Sequence, residues 1–332
     1  MSDVAAAVGV SPMTVSRAFK RDASVSLATR EKILTTARDM GYVFDSTASN
    51  LRSQKTGFVA VTIPSINNAN FADTVGALSA QLSHAGLQVL LGYTNYNWAD
   101  EETLIEQLLR RRPEAIIVTG GSHSERATTM LKNAGIPVVQ IWDEPANPVD
   151  RVVGFSNADA MKVMVRHLLD QGRRKLVFLG GDDLSDVRGA ERRAGFISAL
   201  QDAGLDATRL INTGTPPVSM HQGALAMAQA LATYPDMDAI ACVSDLSAFG
   251  ALSECQRQGI CVPDHIAIGG FGAYDISAQS VPAISTVQVH SKKIGELAAQ
   301  AILAALDTEK PAAPKMQRVQ PDLIIRGSTQ SA

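Results

Sequence analysis

From Gly57 to Gly269 the chain alternates between short apolar runs and longer stretches with helical spacing. Phe58-Val59-Ala60-Val61-Thr62-Ile63 opens the series, and a helix over about 71–85 follows and stops at Gly86. Strands are expected at 88–92, 115–118 and 138–141, with helices between them. The pattern then restarts: helix 158–171, strand 175–179, helix 188–203, strand 209–212, helix 220–233, strand 239–243, helix 247–258 and strand 265–269. Runs that are apolar throughout suit strands buried on both faces, and parallel βα repeats provide that burial. At 332 residues the chain exceeds one core, so two doubly wound halves are expected. A final helix over 291–306 returns the chain to the first half before it crosses back.

The first 52 residues follow another rule. Asp3-Val4-Ala5-Ala6-Ala7-Val8-Gly9-Val10-Ser11-Pro12-Met13-Thr14-Val15-Ser16-Arg17 reads as a short helix, a tight turn and a second helix. Gly9 permits the turn, Ser11 is a good N-cap, and Pro12 stands at the first helical position, where no N–H is needed. Val4, Ala7, Val10 and Val15 are expected to form the seam. A third helix over 27–40 is capped by Ser26 and ended by Gly41, with Ile33, Ala37 and Met40 on its inner face.

This is a helix-turn-helix, whose second helix normally enters the major groove of DNA. The run resembles the headpiece of the LacI/GalR family of bacterial transcription repressors. The matching residues are Asp3-Val4-Ala5, Val10-Ser11, Thr14-Val15-Ser16-Arg17, Val25-Ser26, Thr29-Arg30, Gly41-Tyr42 and Leu51. The family pattern usually carries a few more residues before Asp3.

The resemblance implies an all-α helix-turn-helix headpiece joined to an α/β, periplasmic-binding-protein-like body of two Rossmann-like subdomains linked by three crossovers. The expected bounds are headpiece 1–44, hinge 45–56 and body 57–332. Within the body, 57–157 with 288–315 should form one subdomain, and 158–287 with 316–328 the other.

Charge is distributed accordingly. Residues 1–57 hold eight Lys/Arg and five acids, a surplus of three in a chain whose net charge is −3. A mildly basic head on an acidic body suits phosphate contacts at one end. On the second helix, Pro12, Met13 and Arg17 project from the seam. Arg17 can pair with guanine or with a phosphate, and the resemblance favours the base. Pro12 and Met13 match positions where relatives set operator preference, and they offer apolar contact only. Ser11, Thr14, Ser16 and Arg30 are phosphate candidates.

Residues 45–55 are polar and too few for a stable isolated helix, so a plain linker is one reading. The resemblance implies a hinge helix that folds on DNA, with Asn50, Leu51 and Arg52 in the minor groove and Leu51 as the wedge. Phe44-Asp45 departs from the family's usual Pro-Asn, and Ser49 stands where Arg is common.

Ligands in such sheets bind beyond the carboxyl ends of the strands. The segments that fall there are rich in Asn, Ser, Asp and Arg with a few aromatics, a composition suited to polyols. Ser65, Asn70, Phe71, Asp143, Arg188, Arg192, Asp245 and Asp275 are the effector candidates. Asp186 and Asp245 serve equally well as helix caps, and Trp142 as packing. Pro64-Ser65, Asn70-Phe71-Ala72, Val153-Gly154-Phe155-Ser156-Asn157 and Asp275-Ile276 look most like the gluconate-operon repressor branch. That resemblance implies a sugar acid held by Arg188, with Arg192 the alternative partner. Gly272 stands where many hexose- or purine-responsive relatives have Asp. A neutral sugar or a purine is the alternative effector.

Cys242, Cys255 and Cys261 show no metal spacing, and no nucleotide loop or nucleophile–base constellation is visible. We therefore expect no cofactor, no metal and no enzyme activity. The expected partners are operator DNA, one small carbohydrate effector and a second copy of the chain. No apolar run reaches membrane-spanning length and no signal segment opens the chain, so a cytoplasmic homodimer is expected.

Overall fold

The computed structural model describes residues 1–19, 24–44, 56–181, 185–307 and 314–330. The chain divides into two compact units, Met1–Thr56 and Gly57–Ala332.

In the first unit, α1 (Ser2–Val8), α2 (Pro12–Ala18) and α3 (Leu27–Asp39) surround a small core of Val4, Ala5, Val8, Val15, Ala18, Ile33 and Ala37. Gly9 ends α1 in the left-handed region, with φ 78°. Ser11 caps α2 by accepting the Thr14 N–H at 3.1 Å. Two seam expectations need correction. Ala7 is exposed and Ala5 and Val8 are buried instead, because α1 presents the face one residue round. Met40 lies past the last turn of α3 and is exposed. Phe19 stacks on Phe44 at 4.8 Å and meets Tyr42 edge-on at 6.2 Å, closing the open side of this core.

The second unit holds two six-stranded sheets. The first contains β1 (Phe58–Ile63), β2 (Gln88–Tyr93), β3 (Ala115–Thr119), β4 (Val138–Ile141), β5 (Arg151–Gly154) and β11 (Met316–Arg318), in the order β11-β5-β4-β3-β1-β2. The second contains β6 (Leu176–Leu179), β7 (Leu210–Ile211), β8 (Ala239–Cys242), β9 (Ala267–Phe271), β10 (Ser285–Gln288) and β12 (Asp322–Ile324), in the order β12-β10-β9-β8-β6-β7. All pairs are parallel except β10 with β12 at one edge. The central strands β3, β4, β6, β8 and β9 are buried along their whole length, as their apolar runs require.

Helices α4 (Ala69–His84), α5 (Trp98–Arg110), α6 (Glu125–Lys132) and α12 (Ser291–Leu306) belong to the first half. Helices α7 (Asn157–Asp170), α8 (Val187–Asp202), α9 (Met220–Thr233), α10 (Asp245–Arg257) and the short α11 (Asp275–Gln279) belong to the second. Small residues set how closely they pack. A Cβ on Gly250 of α10 would lie 1.9 Å from the Met220 carbonyl of α9, and one on Gly295 of α12 would lie 2.2 Å from the Thr74 carbonyl of α4.

The chain crosses between the halves after β5, after β10 and after β11. The last crossing falls later than the sequence suggested. Residues 316–318 pair with β5, and Val319 N–H still donates to the Gly154 carbonyl at 2.8 Å, so 316–319 stay with the first sheet. β5, β10, β11 and β12 were not anticipated; each has only three or four residues.

Candidate functional site: a cleft between two half-sheets

The strands of both halves aim their carboxyl ends at a shared cleft. Helix N-caps shape its rim. Asn68 caps α4 by accepting the Asn70 and Phe71 N–H groups, and Ser244 caps α10 in a reciprocal pair with Ser247. These caps fix the start of each helix, and so the side chains of the first turn.

Four of the eight effector candidates line this cleft: Asn70, Phe71, Arg188 and Arg192. Phe71 meets Trp142 edge-on at 5.3 Å, and the Arg188 guanidinium lies 5.6 Å from the Phe71 ring centre. Arg188 comes from α8 in the second half and lines the cleft together with Tyr96 of the first half. Its contact with Asp186 is long, 3.9 Å. Arg192 is more firmly engaged. Its Nε donates to Asn157 Oδ1 at 2.9 Å, an Nη donates to the Val243 carbonyl at 3.0 Å, and the guanidinium stacks 3.9 Å above Phe271. Arg188 is therefore the cation with capacity to spare, and Arg192 builds the wall.

The other four candidates lie elsewhere. Ser65 is buried in the turn after β1, where its hydroxyl accepts the Asn67 N–H. Asp143 is buried behind Trp142, its oxygens accepting the Gly121 and Glu144 N–H groups at 2.9 and 2.8 Å. Asp245 is fully buried, with Thr286 Oγ1 donating to it at 2.6 Å and the Tyr274 N–H at 2.7 Å. Burial pushes its carboxyl up to about 6 despite these donors. The cap of α10 is Ser244, so Asp245 is neither cap nor cleft residue; it ties α10 to β10 and the loop after β9. Asp275 is exposed at the start of α11, and Tyr274 takes the cleft position beside it. Asp186 is the N-cap residue of α8 without a side-chain cap bond, and it lines the cleft.

Sequence reasoning missed Tyr96, which sits in a left-handed turn with φ 58° after β2, and Val218 with Pro216-Pro217 after β7. Burial raises the Tyr96 and Tyr274 hydroxyls above their ordinary range, so both enter as neutral donors. Trp142 Nε1 is buried with no partner. The only sequence signal for these residues was their position just past a strand.

On the headpiece, Pro12, Met13 and Arg17 are exposed on α2, Met13 at 60%. Ser11 and Thr14 hydroxyls bond each other at 2.9 Å, and Ser16 is half-buried. Arg30 is engaged inside the headpiece. Its Nε donates to the Ala18 carbonyl at 2.9 Å, closing the C-terminus of α2. Asn50, Leu51 and Arg52 lie outside the described residues. Among the described residues, no group of three or more His, Cys, Asp or Glu could hold a metal, and no helix is long and apolar enough to cross a membrane.

Comparison with known proteins agrees with both units. Residues 1–45 match the model of bacterial regulatory proteins of the lacI family, and residues 165–329 match a periplasmic binding protein-like domain. The HTH-type transcriptional regulator GntR of Pseudomonas aeruginosa is 36% identical over 92% of this chain and 89% of its own. The chain belongs to the LacI family. It is a DNA-binding transcriptional regulator and not an enzyme. A LacI family transcriptional regulator from Silicibacter pomeroyi superposes with a TM-score of 0.79 at 42% identity, covering 83% of this chain and all of that one. The transcription regulator GntR from Chromobacterium violaceum does so at 0.77 and 36%, covering 82% and 99%.

Proposed function

We propose that this LacI-family regulator is a homodimeric repressor released from its operator by a sugar acid, gluconate or a close analogue, bound in the cleft. The observation that carries the effector class is Arg188. It is a buried guanidinium with one long acidic contact, lying beside an aromatic ring and among neutral donors and acceptors. A planar fork of this kind pairs bidentately with a carboxylate. Phe71 covers the carbon chain, while Asn67, Asn68, Tyr96 and Tyr274 address hydroxyls. A neutral sugar is the second reading, favoured by Asp186, which already offsets part of the Arg188 charge.

DNA recognition rests on Arg17, Pro12 and Met13 at the exposed face of α2, with Ser11, Thr14, Ser16 and Arg30 toward phosphates and Asn50, Leu51 and Arg52 in the minor groove. One short helix reads too few base pairs for genomic specificity, so two half-sites and two chains are required. A cytoplasmic location goes with operator binding. Release follows if the ligand prefers one arrangement of the halves; a tenfold loss of operator occupancy needs about 1.4 kcal/mol of such preference.

The test is calorimetry of the full chain with gluconate, glucose and a purine, alongside a mobility-shift assay on a selected operator. Gluconate should bind more tightly than glucose and release the DNA. Tighter binding of glucose or the purine would overturn the sugar-acid assignment and leave the family unaffected.

A further inference from the structure

A second cavity, of about 460 Å³, lies apart from the effector cleft and shares no lining residue with it. Cavities that hold small organic ligands span roughly 300–1,000 Å³. Two of the three crossovers between the halves form its floor: Phe155 and Ser156 follow β5, and Val319 and Pro321 follow β11. Its wall is the outer face of α7, where Asp159, Lys162, Val163 and Arg166 recur every three or four positions. Met161, Met164, Val165 and Leu168 of the same helix are buried in the core and hold that wall in place. The charges around the cavity are unequally engaged. Arg318 Nε donates to Glu144 Oε1 at 2.7 Å, so that pair satisfies itself at the first-half end. Lys162 has one long acidic contact, Asp159 at 3.7 Å, whose side chain is 74% exposed. Among the described residues, Arg166 has no hydrogen bond or ion pair. Two cations one helical turn apart therefore line the cavity with little to neutralise them.

We propose that this cavity is a second effector site, for a phosphate monoester of about sugar size, and that its ligand acts on the same closure as the ligand of the cleft. Lys162 and Arg166 stand at one end, so a single dianionic head answers both. A dicarboxylate would need a second cation at the other end, where Arg318 is already bonded to Glu144. The volume exceeds what a phosphate ion fills. It leaves space for a carbon body over the Phe155 ring, Val319 and Pro321. The Ser156 hydroxyl accepts the Asp159 N–H at 3.1 Å and keeps its own proton to donate to a ligand hydroxyl.

The route from this cavity to the cleft is short. Phe155 meets Trp142 at 6.1 Å, and Trp142 meets Phe71 in the cleft at 5.3 Å. The crossovers are also the segments that absorb any movement of one half against the other. The cavity has its shape with the halves closed on the shared cleft, so a ligand that fits it favours closure. A sugar acid in the cleft favours the same arrangement, and each ligand then tightens the other by an equal factor. That last step rests on the sugar-acid reading above; the site itself does not.

The experiment is calorimetry of the full chain with glucose 6-phosphate, inorganic phosphate and glucose, with and without saturating gluconate. Glucose 6-phosphate should bind at one site per chain while gluconate occupies the cleft, and more tightly than inorganic phosphate. Arg166→Gln should weaken it about tenfold or more, the loss of a charge-assisted hydrogen bond. Lys162→Gln combined with Arg166→Gln should abolish it, with Tm and gluconate affinity kept, and Arg188→Ala should leave it intact. Saturating glucose 6-phosphate should lower the gluconate Kd at least about fivefold in the wild type and not in the double variant. Absence of saturable binding, or binding that Arg188→Ala removes and the α7 variants do not, overturns the site. Equal affinity for inorganic phosphate overturns the monoester assignment, and an unmoved gluconate Kd overturns the coupling. If gluconate itself does not bind, the sugar-acid reading fails, and the direct titration with the α7 variants decides the second site alone.

Discussion

Asn70 Nδ2 donates a hydrogen bond of 2.9 Å to the carbonyl of Gly272, joining the first turn of α4 in one half to the loop after β9 in the other. The bond is buried, and Gly272 takes φ 120°, a conformation that turns its carbonyl toward the cleft at no Cβ cost. A residue read from the sequence as a ligand contact is therefore also a tie between the halves.

Removing that tie should loosen closure. Asn70→Ala leaves the Gly272 carbonyl without its donor in the closed state, at a cost of about 1–3 kcal/mol. Gluconate affinity should fall accordingly, and the radius of gyration of the ligand-free protein should increase. An unchanged radius with unchanged affinity would show that the bond contributes nothing to the balance.

The two cleft arginines should separate cleanly. Arg188→Ala is expected to lower gluconate affinity by at least tenfold with little change in thermal stability, since its contacts are the Phe71 ring at 5.6 Å and a long ion pair. Arg192→Ala withdraws donors from Asn157 and the Val243 carbonyl and uncovers Phe271, so it should lower Tm as well. Thermal melts with and without gluconate distinguish them. Equal losses of Tm would mean that Arg188 is structural too.

Much of this was legible beforehand because the signals are local. A Gly between two short apolar helices, Ser11 before Pro12, and strand runs apolar at every position each admit few conformations. The cleft was half legible for a related reason. Asn70 and Arg188 sit in the first turn of helices that follow strands, and that topology alone aims them inward. Asp245 shares the topology, but its carboxylate turns back to Thr286 and the Tyr274 N–H, a choice made by partners 29 and 41 residues away. Tyr96 enters through a left-handed turn that no nearby glycine announces.

On the headpiece, Arg17→Ala should cost about 1–3 kcal/mol of specific operator binding and relax preference at one position. Arg30→Ala should behave differently from a pure phosphate contact. Losing the bond to the Ala18 carbonyl costs about 1 kcal/mol of folding stability, and DNA affinity should fall on all sequences alike. Headpiece unfolding followed by circular dichroism, with binding measured on operator and random DNA, checks both. Sequence-independent losses from both changes would remove Arg17 from base reading.

Leu51→Ala tests the hinge segment. If Leu51 wedges a base step, its loss should abolish operator bending and weaken specific binding while gluconate affinity is kept. Circular-permutation mobility assays read the bend. Unaltered bending returns residues 45–55 to a plain linker.

The buried carboxylate of Asp245 ties stability to pH. Its folded-state value, about 6, lies above the ordinary aspartate value, so the folded protein binds the proton more tightly than the unfolded chain. This stability is fully present below about pH 4 and is lost as pH rises through 6. Above that, Asp245 is ionised in a dry site and depends on its donors. Thr286→Val keeps the shape but removes the 2.6 Å bond, so it should cost about 1–3 kcal/mol at pH 8. At pH 5 the proton neutralises most of the charge, and the cost should shrink by at least half. Urea midpoints at the two pH values measure the difference. Equal losses at both would mean that Thr286 contributes only a neutral hydrogen bond, and that Asp245 is not the ionised post holding α10 to β10.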